Sequence, residues 1–62
     1  MDPNATLQEA LEALADLTKR DNDDDRYSAA IRLQELASWL RLGNFAPRVV
    51  QCVDGSFRIE AR

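Results

Sequence analysis

The chain has 62 residues, enough for one domain, and a chain this short buries only about 60% of the surface that its unfolded form exposes. With one cysteine and no histidine it lacks an intrachain disulfide and has too few ligands for a tetrahedral zinc site, so a compact core or self-association must supply its stability. Residues 1–25 contain eight acidic and two basic residues, a net charge of −6. Residues 26–62 contain three acidic residues and six arginines, a net charge of +3. We therefore expect the two halves to attract each other within the fold or between subunits.

The first predicted element is a helix from about Asn4 to Thr18. Thr6 and Glu9 form a capping-box pattern, and Asp2-Pro3 offers a competing start one turn earlier, because proline favours the first helical position. One side of this helix is polar and the other is apolar at helical spacing. The apolar side consists of Leu7, Ala10, Leu11, Leu14 and Leu17.

A polar connection follows over residues 19–25. Its aspartates match the first ligand positions of a calcium-binding EF-hand loop, but Arg26 and Arg32 occupy the positions of the required glycine and glutamate, which excludes that site. We expect Asp24 or Asp25 to cap the next helix instead.

The second predicted helix runs from about Arg26 to Leu42, and Gly43 is placed to end it. It is apolar on more than one side, so it should lie between two partners, one of them the first helix in an antiparallel helical hairpin. The other partner is the C-terminal segment or a second subunit. The main apolar stripe is Ala29, Ala30, Leu33, Leu36, Ala37 and Leu40, with Tyr27, Ile31, Trp39 and Leu42 outside it.

Two apolar runs, 48–53 and 56–61, come after a turn at Asn44-Phe45-Ala46-Pro47, and Asp54-Gly55 separates them. An Asp-Gly pair in this setting is typical of a two-residue type I′ turn, which would place Val53 opposite Ser56. The expected apolar face of this hairpin is Val50, Cys52, Phe57 and Ile59. The predicted fold class of the single domain, residues 1–62, is therefore α+β: an antiparallel two-helix hairpin followed by a two-stranded β-hairpin packed on the second helix.

The residue types needed for catalysis are scarce. There is no histidine to act as a neutral-pH base, the three serines have no nearby base, and two glycines cannot build a phosphate-binding loop. We expect Cys52 to be a buried, inert thiol beside Phe57. The sequence therefore predicts a protein that is not an enzyme and has no cofactor and no metal.

A surface for binding another macromolecule is the remaining possibility. Four arginines and three aromatic residues could form a nucleic-acid patch, but the pI of about 4.7 disfavours that interpretation. Trp39 lies off the main stripe, where it could anchor an interface or be covered by the hairpin. The patch would use Arg41, Arg48, Arg58 and Arg62 with Trp39, Phe45 and Phe57, and the candidate protein interface is Tyr27, Ile31, Trp39, Leu42, Phe45 and Arg58.

Two stretches carry a resemblance. Asp2-Pro3-Asn4-Ala5-Thr6-Leu7 and the pattern Trp39-Leu40, Gly43, Phe45 and Pro47 resemble a class of short bacterial and bacteriophage proteins with an acidic two-helix core, for which no activity is established. The resemblance covers about residues 1–47, and the C-terminal hairpin departs from it. It implies an intracellular accessory protein.

The predicted function is that of a small protein–protein interaction module, an adaptor or inhibitor of a larger protein, which also forms a homo-oligomer. If the gene is phage-borne, the expected target is a host or defence protein. The alternatives are a small nucleic-acid-associated regulator and a structural subunit of a homo-oligomeric assembly. No apolar run approaches the ~20 residues needed to span a membrane, and no secretion signal is evident at Met1, so we expect a cytoplasmic protein without membrane contact.

Overall fold

The computed structural model describes residues 1–60 of the chain. It contains two helices, α1 (Pro3–Lys19) and α2 (Asp23–Arg41), and two antiparallel strands, β1 (Val49–Gln51) and β2 (Phe57–Ile59). The predicted α+β class, a helical hairpin followed by a β-hairpin, is confirmed. The predicted end of the second strand at Ala61, and Arg62 of the arginine patch, lie outside the described residues.

The first helix begins at the earlier of the two predicted starts. The Asp2 carboxylate accepts hydrogen bonds from the backbone N–H groups of Asn4 (3.0 Å) and Ala5 (3.4 Å), and Pro3 occupies the first helical position. Thr6 therefore lies one turn inside the helix, where its hydroxyl donates to the Asp2 carbonyl oxygen over 3.1 Å. The capping box at Thr6 is wrong because Asp2 already supplies the acceptor.

The second helix begins three residues earlier than expected. Asn22 is its cap, and the Asn22 side-chain oxygen accepts from the Asp25 N–H over 2.8 Å, so neither Asp24 nor Asp25 has that role. The three aspartates instead fill the first turn, where the helix dipole favours negative charge.

The C-terminus of α2 is closed by the backbone. Gly43 has a φ of +82°, a left-handed conformation, and its N–H donates to the Leu40 carbonyl oxygen over 3.0 Å. The Asn44 N–H donates to the Trp39 carbonyl oxygen over 3.4 Å, which completes a Schellman motif. Gly43 ends the helix as predicted.

Small side chains fill the contact between α1 and α2. Ala10 and Ala13 of α1 and Ala29 and Leu36 of α2 are the buried hydrophobic residues of the described chain, and Thr6 is buried with them. Arg32 Nε lies 2.7 Å from a carboxylate oxygen of Glu9, so opposite charges from the two halves of the chain do meet within the fold.

The hairpin register differs by one residue from the prediction. Val49 pairs with Ile59 and Gln51 with Phe57, because the loop has three residues rather than two. The Cys52 N–H donates to the Ser56 carbonyl oxygen over 2.7 Å, and Gly55 alone in the loop has a positive φ, +89°. A type I′ turn needs a positive φ at both central residues, so the predicted turn is wrong.

A slip of one residue moves every side chain of β1 to the other face relative to β2. Val49, Phe57 and Ile59 now share a face, whereas Val50 and Cys52 lie on the opposite one. The expected place of Cys52 beside Phe57 is therefore wrong, and its side chain is half-buried.

The hairpin lies against α1, not α2. Asn4 holds both of its ends: the Arg48 N–H donates to Asn4 Oδ1 over 2.7 Å, and Asn4 Nδ2 donates to the Glu60 carbonyl oxygen over 3.2 Å. A cavity of about 230 Å³ between the hairpin and α1 includes Leu7 and Leu11 in its lining but no residue of α2. The predicted packing on α2 is wrong because the end of α2 returns the chain to Asn4.

Candidate interaction surfaces

Four leucines of the helices are half-exposed rather than buried. Their exposed fractions are 47% for Leu11, 39% for Leu14, 42% for Leu33 and 45% for Leu40. These four residues, two from each helix, form the open leucine face. The predicted core positions among them are therefore only partly covered by the chain itself.

Helix geometry places the four leucines on one side of the helix pair. At about 100° per residue, Leu11 and Leu14 are displaced on average by about 100° from the Ala10–Ala13 contact, and Leu33 and Leu40 by about 40° from the Ala29–Leu36 contact. All these displacements go the same way around the helix axis, in the direction in which the residue number increases. Because α1 and α2 are antiparallel, equal senses on both helices lead to the same side of the pair.

The acidic residues in the middle of the helices lie on the opposite side. Glu9, Glu12 and Asp16 of α1 and Glu35 of α2 are displaced in the reverse sense from the same contacts. The ion pairs of Arg32 with both Glu9 (2.7 Å) and Glu35 (3.3 Å) show that residues of this sense do meet across the pair. The helical hairpin thus has one acidic side and one leucine side.

The β-hairpin borders the open leucine face along its α1 edge. Leu11 belongs both to that face and to the cavity under the hairpin, which is also lined by Val49, Phe57 and Ile59. Phe57 is 68% exposed and Val49 is 45% exposed, so the hairpin adds apolar surface beside the open leucine face and does not cover it. None of the residues that line this cavity comes from α2, so the hairpin borders only the α1 edge of the open leucine face.

A second hollow lies around Trp39. The Trp39 indole N–H donates to the Phe45 carbonyl oxygen over 2.7 Å, and the two rings meet edge to face with centroids 5.4 Å apart. Phe45 therefore covers the half-buried Trp39, and the expectation that the hairpin does so is wrong. The hollow is open, has a volume of about 480 Å³, and is lined by Met1, Gln34, Glu35, Ser38, Trp39 and Leu42.

The candidate interface residues from the sequence fall into separate places. Trp39 and Leu42 share the hollow, and Phe45 contacts Trp39. Arg58 lies elsewhere, in the lining of the cavity beside α1. Tyr27 (70% exposed) and the half-buried Ile31 lie further along α2 and do not line that hollow.

One ion pair reduces the positive charge available in the predicted arginine patch. An Arg48 guanidinium nitrogen lies 3.3 Å from a Glu60 carboxylate oxygen, so this arginine is partly neutralised by its neighbour in the hairpin. No group of three Cys, Asp or Glu side chains among residues 1–60 could hold a metal ion. Within the same residues, neither helix combines the length and the apolar character needed to cross a membrane.

Two features escaped the sequence interpretation. The apolar stripes predict that the leucines of the open leucine face pack between the helices, whereas the alanines beside them indicate a close helix contact that leaves larger neighbours outside. Periodicity predicts Asn4 as the start of a helix, and nothing in its local sequence indicates its bonds to Arg48 and Glu60, 44 and 56 residues away.

No family model, no curated protein and no solved structure matches this chain.

Proposed function

We propose that this protein is a protein–protein interaction module that binds through the open leucine face. In this proposal it acts in the cytoplasm without chemistry of its own, as an adaptor or inhibitor or as a subunit of its own assembly. The observation that carries the proposal is the half-exposure of four leucines on one side of the helix pair, opposite the acidic side. Such a contiguous apolar patch marks interaction sites in soluble proteins.

The energy available from this surface is large for so small a chain. Covering the exposed fraction of each leucine contributes about 1 kcal/mol, so the four together contribute about 4 kcal/mol. A chain of this length has a net stability of about 3–9 kcal/mol. A partner on the open leucine face would therefore change the free energy of unfolding by a substantial part of its total.

The acidic side supports the same assignment by contrast. Its carboxylates are solvated or ion-paired at the surface, where such pairs contribute about 0–1 kcal/mol. A binding surface built on them would be weak in physiological salt, since exposed charges are screened within ~8 Å. Apolar contacts on the leucine side are not weakened by this screening, because they involve no charges.

Site-specific photo-cross-linking in cells tests this proposal. A photoreactive phenylalanine analogue is placed at Leu14 or Leu33, and in matched controls at Glu12 on the acidic side or at Tyr27. We expect protein adducts, to the chain itself or to another protein, from the two leucine positions and few from the controls. Absence of adducts at both leucine positions, or equal yields at Glu12, would refute the proposed surface, and adducts confined to Tyr27 would move it to the outer side of α2.

A further inference from the structure

We infer that the occupant of the open leucine face is a second copy of this chain, in a two-fold symmetric dimer with a four-helix core. The inference rests on the proposed function and names the partner for the same surface. It starts from the size of the core within one copy. Three of the four buried hydrophobic residues among residues 1–60 are alanines, and Leu36 is the fourth.

A core of this size favours a partner that is present whenever the chain folds. Chains below about 70–80 residues rarely obtain more than 3–5 kcal/mol from one core and commonly depend on disulfides, metals or oligomerisation. This chain has a single cysteine, Cys52, and the described residues contain no metal-binding group of side chains. Oligomerisation is the remaining means, and most soluble oligomers are built from copies of the same chain.

The open leucine face together with the hairpin is complementary to a second copy of itself. The hairpin stands along the α1 edge of this face, and on the α2 edge Leu33 is 42% exposed and Leu40 is 45% exposed. A two-fold axis parallel to the helices places α1 of one copy against α2 of the other, antiparallel, as in up-down four-helix bundles. The same rotation brings each hairpin to the α2 edge of the other copy.

This arrangement specifies which residues meet. The Arg32–Glu9 ion pair sets Leu33 at the height of Glu9, between Leu7 and Leu11 of its own α1. The rotation preserves height, and Leu11 is the exposed member of that pair, so Leu33 of one copy meets Leu11 of the second copy. Phe57, which shares a cavity with Leu11, then lies beside the same Leu33.

Area and charge are both compatible with a stable dimer. The exposed fractions of the four leucines, Val49 and Phe57 amount to roughly 600 Å² per copy, against the ~800 Å² that each partner buries in a standard interface. Glu9, Glu12, Asp16 and Glu35 of both copies lie on the side away from the contact. Two chains of net charge −3 can therefore associate without placing these carboxylates opposite each other.

The test is sedimentation equilibrium of the full chain at about 10–500 µM, combined with isotope-filtered NMR on a mixture of labelled and unlabelled chains. We expect a mass of about 14 kDa, twice the 7.0 kDa of one chain, and intermolecular NOEs from Leu33 to Leu11 and Phe57. Leu33→Glu should weaken the dimer by about 30-fold or more, as expected for a central interface residue, whereas the matched variant Tyr27→Glu should leave it unchanged.

Three results would overturn this inference. They are a 7.0 kDa species at every concentration, a dimer whose intermolecular NOEs come from Trp39 and Phe45, and a Leu33→Glu variant that still dimerises like the parent chain. If Leu33→Glu does not fold, the NOEs of the unmodified chain still decide. A monomer that nevertheless gives cross-links from Leu14 or Leu33 to a foreign protein would remove the second copy as partner and leave the proposed function standing.

Discussion

Replacing Asn4 with alanine removes both side-chain hydrogen bonds that hold the β-hairpin against α1. Asn4 Oδ1 accepts from the Arg48 N–H over 2.7 Å, and Asn4 Nδ2 donates to the Glu60 carbonyl oxygen over 3.2 Å. The two groups lie at the two ends of the hairpin, immediately before Val49 and after Ile59. A single side chain therefore fixes the position of both strands.

The magnitude follows from the number of bonds and their burial. Each neutral hydrogen bond contributes about 0.5–1.5 kcal/mol net, so Asn4→Ala should cost about 2 kcal/mol. For a domain of this size that corresponds to a fall in Tm of about 8–16 °C. Asn4→Asp keeps an acceptor for Arg48 and loses the donor to Glu60, so its effect should be about half as large.

Thermal unfolding followed by circular dichroism measures the loss, and hydrogen exchange of the Arg48 amide shows whether it is local. Gln8→Ala is the matched control, because it removes an exposed side-chain bond to Glu12 of 3.2 Å and should change stability by less than about 0.5 kcal/mol. If Asn4→Ala melts like the Gln8 variant and the Arg48 amide stays protected, Asn4 does not hold the hairpin.

Three further predictions concern the turn and the tryptophan. Gly55→Val should lower Tm through backbone strain of about 1–2 kcal/mol, because a β-branched residue does not tolerate a φ of +89°, and an unchanged melting curve would place the turn elsewhere. Trp39→Phe should lower the free energy of unfolding by about 1 kcal/mol, because it removes the hydrogen bond to the Phe45 carbonyl oxygen. Trp39→Ala should lower it by about 2–3 kcal/mol, less than for a fully buried aromatic residue. A fluorescence maximum typical of a fully hydrated indole in the native protein would contradict both expectations. Hydrogen bonds from the Ser56 hydroxyl and N–H lower the pKa of Asp54. The stability that these bonds add is present above the ordinary carboxyl pKa and is lost as the pH falls through the lowered pKa of Asp54. If the Asp54 titration followed by NMR is unchanged in Ser56→Ala, the hydroxyl bond is not a cause of the shift.

The fold class could be predicted because it depends on local signals. Helical periodicity, the Asp2-Pro3 start and Gly43 each act within a few residues; periodicity and Gly43 act as predicted, and Asp2-Pro3 is the alternative start that the structure uses. The hairpin register could not be fixed in the same way. Asp54-Gly55 is compatible with a two-residue loop and with a three-residue loop that has glycine in its left-handed position, and bonds of the Asp54 carboxylate to Ser56 stabilise the second.

The place of the hairpin depends on contacts that no short stretch of sequence contains. Asn4 and Arg48 are 44 residues apart, and their bond forms because the antiparallel helices bring the end of α2 back to the start of α1. The candidate site was missed for a related reason. Periodicity shows that Leu11, Leu14 and Leu33 lie on an apolar side, but the depth to which they are buried depends on how close α1 and α2 approach through their alanines.

The close helix contact also links folding to association. Alanines at positions 10, 13 and 29 let the two helices approach, and this approach leaves the leucines at the flank of the contact instead of at its centre. The same leucine atoms that would stabilise a single folded chain therefore stay available to a partner, at about 1 kcal/mol each. Ala13→Leu would push the two helices apart, so the flanking leucines could pack into the centre of the contact within one chain. We therefore expect this variant to lose more of its association than of its helix content. Stability that rises with protein concentration in the parent chain and no longer does so in that variant would show that the leucines serve both purposes.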